Sequence, residues 1–337
     1  RLAESRPEHR INGSSWANDG DSRADGNGVM VRFMQILSGK LVEAEAGDAQ
    51  VLVYVNPSAA ERKQLVEKDR LDEHTVASAL DPDELSRLEF EPDHLALIFK
   101  RPKSYRAADN FLFRVESVGL FLFADRMIVI LAEDAPIFEG RPFARIASLH
   151  DLMLKIIYRS IFHFMEHLRV INNVSNELEQ EVNRSMENKH LFNLFALEKS
   201  LVYYLNAVNA NGKVVERIRN SAAKINLSAE SLELLDDIVI ENGQCYEQAM
   251  IYSNILASLM DARASIVSNN LNMLIKKLTN ITIGIMLATF VVSLFSMNVP
   301  LPFPLPEERV LWPFWFIVGM CVVTVTLVIA FWRYKKW

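Results

Sequence analysis

The order of apolar and polar positions changes character along the chain. In residues 29–135 the apolar runs are short. Residues 51–55 form a β-branched run ended by Asn56-Pro57. Residues 95–99, 117–123 and 126–131 are similar segments with turn signals between them, the pattern of buried strands. Residues 58–68 and 72–80 read as helices, the second after an acidic start. After Pro142 no proline occurs until Pro300, and only Gly212, Gly243 and Gly284 interrupt that interval, which predicts long helices. Leu149, Met153, Ile156, Phe164, Leu168, Ile171, Leu178 and Val182 follow three- and four-residue steps and their sums, one helix of about ten turns. Asn188-Lys189-His190 is expected to break it, with a second helix over 191–220. A third opens near Ser228, with Glu230 and Glu233 in its first turn, and meets no breaker before residue 297. At 1.5 Å per residue that helix would be roughly 100 Å long, more than one subunit can bury, so packing against other copies is expected.

Two stretches carry no charge at all, residues 278–297 and 311–332. Each is long enough to cross a bilayer core, which needs about 20 apolar residues of helix. The competing reading is a pair of buried core helices, and it sits poorly with the basic flanks. Lys276 and Lys277 precede the first stretch, and Arg333, Lys335 and Lys336 follow the second. The connecting segment 298–310 holds Glu307, Glu308 and Arg309. The excess of Lys and Arg on cytoplasmic flanks then places residues 1–277 and the basic tail 333–337 in the cytoplasm, with the loop outside. Trp312, Trp315 and Trp332 lie near the span ends, where an aromatic belt would sit. An integral protein of a bacterial inner membrane or a plasma membrane is expected, with the lipid bilayer as a partner.

Composition removes other classes. The 337 residues are 50% hydrophobic and 23% charged, so disorder is expected only in the tail 1–28. A net charge of −6 argues against nucleic acid as a partner. Cys245 and Cys321 stand far apart without a CxxC pair, which excludes a disulfide framework and a cysteine zinc site. Arg1, with no initiator Met and no signal-peptide pattern, reads as a truncated start. No Gly-rich phosphate loop and no nucleophile elbow is found, so neither an enzyme nor a cofactor is expected. His163, Glu166 and His167 match the H-x-x-E-H spelling of inverted zinc peptidases, but no third ligand follows. Part-buried histidines of a long helix are the expected reading there.

One face of the third helix stands out. Between Gln248 and Ile275 the only charges are Asp261 and Arg263. Asp261, Ser265, Ser268, Asn272, Thr279, Thr282, Met286, Thr289, Ser293 and Ser296 follow one another at three- or four-residue steps, with one double step. The mean step is about 3.5, the period of a left-handed bundle seam. A stripe of small, neutral, polar side chains suits the wall of a water-filled lumen for a hydrated cation, with Met286, Ile275 and Leu278 as apolar rings able to dewet. The alternative is ordinary contact between membrane helices through Ser and Thr.

Ser296-Met297-Asn298, at the outer end of the first of two C-terminal spans, resembles the Gly-Met-Asn motif of the CorA family of magnesium channels. The Lys335-Lys336-Trp337 ending is similar to the same family. So is segment 80–102, with Arg87-Leu88-Glu89-Phe90 followed by Leu97-Ile98-Phe99-Lys100. The resemblance covers about residues 50–337. It implies an α+β cytoplasmic domain, very long helices and two C-terminal transmembrane helices in a funnel-shaped homopentamer, the first span lining the pore. In this resemblance Asn298 forms the ring that meets the hydrated ion, beside Met297 and Ser296. Thr289 and Thr282 are pore hydroxyls, Met286 a gate, Leu278 a second constriction and Asn272 an inner ring. Asp261 lies low in the pore helix. The implied parts are a tail 1–28, an α/β domain 29–141, a helical stalk 142–277, a pore helix 278–297, a loop 298–310, a second span 311–332 and the tail 333–337.

The departures from the family pattern carry expectations of their own. Ser296 replaces the motif glycine, which bears on ion preference. Pro300, Pro302, Pro304 and Pro306 stiffen the loop before Glu307 and Glu308. Asp237 matches the long-helix aspartate of the family's inter-subunit regulatory magnesium site, but the partner positions read Ala77 and Ser78, with Asp81, Asp83 and Glu84 nearby. Weak magnesium gating is expected. The transported ion is expected to be Mg2+, with Co2+, Ni2+ or Zn2+ possible. A ZntB-like zinc transporter and a non-conducting scaffold of the same fold are the alternatives.

Overall fold

The computed structural model describes residues 30–106, 109–184, 188–297 and 312–334. The chain divides after Ala257 into two units.

The first unit is built on a sheet of seven strands among the described residues. These are β1 (Met30–Leu37), β2 (Lys40–Glu43), β3 (Val51–Val55), β4 (Arg87–Phe90), β5 (Leu95–Pro102), β6 (Val115–Leu122) and β7 (Met127–Leu131). Their order is β2-β1-β3-β7-β6-β5-β4. β3 and β7 run parallel, with Val53 opposite Val129, and the other neighbours pair antiparallel. The β1–β2 turn holds Ser38 and Gly39 at φ 51° and 76°, a left-handed pair whose twist suits two adjoining antiparallel strands. Helix α1 (Ala59–Glu67) opens on a capping box, with Ser58 and Glu61 each bonding the other's backbone N–H. Helix α2 (Glu73–Ser78) is capped by Asp72, which accepts from Thr75 N at 2.8 Å.

Both faces of the central strands are covered, so every residue of β5 and β7 is buried instead of alternating. On one face Ala96, Ile98, Phe121, Ile128 and Ile130 pack with Leu65, Leu71, Val76 and Ala79 of the α1–α2 segment. Gly119 belongs to this contact, since a Cβ there would stand 2.5 Å from that of Ala79. Burying these side chains contributes on the order of 1.5–3 kcal/mol each. The other face meets α3 (Leu149–Arg184) and α4 (Asn188–Asn220). Asn211 of α4, fully buried, accepts from Lys100 N and donates to Lys100 O, both at 2.9 Å, so its amide pairs with the β5 main chain as another strand would.

Helix α3 spans 36 residues, the ten turns its apolar period predicts. Three corrections apply elsewhere. Asn188, Lys189 and His190 begin α4 and do not break a helix, because a polar triplet serves a first turn as well as a stop. β1, β2 and β4 were not predicted: β2 and β4 are four-residue strands at the two ends of the sheet, and β1 beside β2 is only part-buried. The short helix α5 (Ala222–Ile225), ended by Asn226 at φ 56°, also lacks a periodic signal. Helix α6 runs unbroken over 67 residues, Ala229–Phe295, and Ser231 N bonds the Ser228 hydroxyl that caps it. Gly212 lets α4 approach α6 closely, since a Cβ there would lie 2.7 Å from Asn242 Nδ2.

The second unit, from Ser258 onward, contains the rest of α6 and helix α7 (Trp312–Tyr334). Both are long and apolar enough to cross a membrane, and in the single chain almost none of their apolar windows is buried.

Candidate ion-permeation site

Within the second unit, α7 touches one side of α6. Cys321 Sγ lies 3.8 Å from Ala288 O, and Val291 is buried. Asn280, Gly284 and Ala288 line a groove of about 350 Å³ together with Val325 and Trp332 of α7. These α6 positions recur at i, i+4, i+8 and i+11, one stripe of a helix.

The polar stripe occupies the opposite side. At about 100° per residue, Thr279, Thr282, Met286, Thr289 and Ser293 centre roughly 180° from Gly284. All of them are exposed in the single chain, as are Asp261, Ser265, Ser268, Asn272 and Leu278. Thr282 Oγ1 donates to Leu278 O and Thr289 Oγ1 to Ile285 O, both at 2.9 Å. Ser296 Oγ lies 3.0 Å from Ser293 O, just past the helix end, with Met297 beside it. Asn298, Glu307 and Glu308 lie outside the described residues. On the amino-terminal side of Lys276, Ile266, Val267, Leu271, Leu274 and Ile275 are also exposed. That is a long apolar surface of the kind that another chain covers.

The residues expected at a regulatory magnesium site fall into different settings. Asp237 is exposed on α6, and its charge helps raise the Tyr158 pKa, after burial and Glu241. Its neighbour Asp236 pairs with Arg219 at 3.0 Å. Ala77 is exposed and Ser78 buried at the end of α2. The sequence reading missed Arg87, which takes up the donors and acceptors there. Its guanidinium pairs with Glu84 at 2.7 Å and Glu89 at 2.8 Å, and donates to the Ser78 hydroxyl at 3.0 Å. Lys100 is buried close by, and donates to Pro82 O at 2.6 Å and to the Ser117 hydroxyl at 2.8 Å. Burial holds its pKa down to about 8, with Asp81, Asp83 and Glu84 pulling the other way. Two fixed cations thus serve the acidic segment 81–89. Among the described residues no group of three or more His, Cys, Asp or Glu side chains is arranged to hold a metal ion.

His163 and His167 share a helix face, with ring centroids 4.4 Å apart. His167 Nδ1 lies 2.6 Å from the Tyr204 hydroxyl. Burial lowers both histidines, to about 3 and about 4, and Arg159 opposes their protonation further. With His167 on Tyr204 and Glu166 on Arg159, two of the three side chains of the H-x-x-E-H spelling already have protein partners.

The family profile described as CorA-like Mg2+ transporter protein matches residues 50–334. The chain belongs to the CorA-like family. A CorA-like chain is a membrane transporter for divalent cations, and the two apolar helices of this one are its candidate spans. The cobalt/magnesium transport protein CorA of Methanocaldococcus jannaschii is 21% identical over 326 residues, 90% of this chain and 96% of that protein. The complete structure of the magnesium transporter CorA from the same organism is similar with a TM-score of 0.74, at 19% identity, over 90% of this chain and 97% of that one. The ZntB cytoplasmic domain from Vibrio parahaemolyticus is similar at a TM-score of 0.54 and 15% identity, over 71% of this chain and 99% of that one. At such identities these structures speak for the fold: a sheet-containing α+β domain, long helices and two C-terminal apolar helices.

Proposed function

We propose that this CorA-like chain forms a homopentameric channel in which the first span lines the lumen and hydrated Mg2+ passes by electrodiffusion. The observation that carries the reading is the polar stripe of α6, exposed along its length and directed away from α7. Small neutral oxygens offer dipoles to hydration water without holding a divalent ion tightly, so the ion binds and still leaves. Asn298 would form the mouth ring, with Ser296 and Met297 beside it and Glu307 and Glu308 in the external loop. Met286 and Leu278 would close the lumen by dewetting, with Thr289 and Thr282 between and above them and Asn272 and Asp261 on the inner side. Residues 1–277, comprising the tail 1–28, the α/β domain 29–141 and the stalk 142–277, and the tail 333–337 would be cytoplasmic, consistent with Lys276, Lys277 and Arg333 at the span ends. The apolar surface around Leu271 and Leu274 supports an oligomer.

A single assay tests the reading: flux of Mg2+, Co2+, Ni2+ and Zn2+ into liposomes containing the protein, wild type against Asn298→Ala. Saturable Mg2+ flux lost in the variant, with the oligomer intact by crosslinking, is expected. Wild-type flux in the variant would remove Asn298 from the mouth. Ser296 in the motif position keeps zinc as the competing cargo, and a zinc flux that follows an imposed proton gradient would favour it.

A further inference from the structure

A pocket of about 90 Å³ opens between the sheet and α3, and no residue of the acidic segment 81–89 lines it. Arg101 from the end of β5, Ser104 just after it, and Arg159, Ser160 and His163 of α3 line it, and the Pro136-Ile137 turn supplies the apolar wall. Ser104 and Pro136 are exposed, so the mouth reaches solvent, while Arg101 is only 4% exposed.

The hydrogen bonding of Arg101 is incomplete. One terminal nitrogen donates to Glu116 at 2.7 Å and the other to Pro102 O at 3.3 Å. Its Nε–H is buried and finds no acceptor among the described residues. A buried donor left unsatisfied costs about 1–3 kcal/mol, and more on a charged group, so an acceptor is called for. Arg159 lines the pocket and pairs through one terminal nitrogen with Glu166 at 2.9 Å, a bond that uses one of its five N–H donors. The Ser160 proton goes to Ile156 O, whereas Ser104 is exposed at the mouth. Each guanidinium thus already carries one carboxylate, Glu116 on Arg101 and Glu166 on Arg159, and neither of these carboxylates lines the pocket.

We infer that this pocket binds a compact oxyanion of the phosphate type, held by Arg101 and Arg159 with Ser104 at the mouth. The volume equals roughly three waters, enough for a tetrahedral anion and too small for a nucleotide. The open Nε–H of Arg101, beside Arg159, favours an anion over water, because a charge-assisted donor is satisfied best by a charged acceptor. His163 agrees with this. Burial depresses its pKa most, and His167, Arg159 and Arg101 depress it further, so its ring is held neutral beside the two guanidiniums. An anion there would tie β5 to α3 within the first unit. This inference does not depend on the pore reading.

The test is isothermal titration of the full-length protein in detergent with inorganic phosphate, sulfate and chloride in turn. Phosphate and sulfate should bind at one site per chain, and Arg159→Gln should weaken them roughly tenfold or more, the worth of one or two charge-assisted bonds. Ser104→Ala, at the exposed mouth where folding is least at risk, should weaken them less but measurably. A phosphate-soaked structure should place density against Arg101 Nε. No binding of either oxyanion, binding of chloride alone, or oxyanion affinity unchanged in both variants would each overturn the assignment. So would waters in the pocket at saturating phosphate.

Discussion

Acidification should loosen the α3–α4 seam, and His167 provides a handle on the effect. The ring is 9% exposed, packed edge-on to Phe113 and against Tyr204, whose own pKa burial raises far above the ordinary value. Tyr204 therefore keeps its proton and donates it to Nδ1 at 2.6 Å, which fixes the imidazole as neutral. Protonation would place a charge in a buried site and a second proton on the hydrogen bond. With a folded value of about 4 against an ordinary 6.5, the native state binds fewer protons than the unfolded chain as pH falls. Stability from this ring is complete above about pH 6.5, falls through the interval below, and levels off below about pH 4. Between pH 7 and pH 5 the loss is about 1.8 kcal/mol. His163, depressed to about 3, adds a loss of the same sign, as do His94 and His150, so a single pH titration is not diagnostic. The informative measurement is urea unfolding of fragment 30–257 at both pH values, wild type against His167→Gln. The glutamine keeps an acceptor for Tyr204 and cannot titrate. The variant should lose less stability than wild type on acidification, by about 1.8 kcal/mol. Equal losses would show that His167 is not held neutral by its surroundings and would refute the reasoning.

Two further outcomes concern transport. Met286→Ala should widen the apolar ring of the proposed lumen and raise basal flux in liposomes severalfold, and unchanged flux would mean that the constriction lies elsewhere. Asp237→Ala should shift the internal Mg2+ concentration for half-inhibition by less than about twofold in patch recordings, since Arg87 and Lys100 already serve the carboxylates that would face it. Strong inhibition in wild type that vanishes in the variant would show that Asp81, Asp83 or Glu84 completes a site after all.

The long helices were legible because one period repeats over many turns. Leu149, Ile156, Phe164 and Leu178 mark a single face of α3, and the interval without proline leaves α6 nowhere to stop. β3, β5, β6 and β7 were legible as apolar runs, because both of their faces are covered and the polar residues sit at one end of a strand, Lys100 and Arg101 closing β5 and Glu116 and Ser117 opening β6. β2 and β4 were hidden by being short and at the sheet ends, and the charged residues Lys40, Glu43, Arg87 and Glu89 leave neither with an apolar run. For the candidate site, the stripe itself is a pattern along one helix and could be read from spacing. Arg87 with Ser78, and Arg101 with Arg159, are not: they meet only because the sheet brings β4 beside β5 and α3 across its face. No spacing rule encodes a contact between residues 58 positions apart on different elements.

The hydroxyls of Thr282 and Thr289 each spend their proton on a carbonyl one turn back in their own helix. What they turn outward is therefore lone pairs only. Water in the first shell of a cation points its hydrogens away from the ion, and water around an anion points its oxygens away. A wall of pure acceptors meets both outward hydrogens of each cation-bound water, and offers nothing to the outward oxygens of anion-bound water. In the proposed lumen, the sign of the permeating charge would thus be selected by the direction in which two threonines aim a proton, without any charged side chain at that depth.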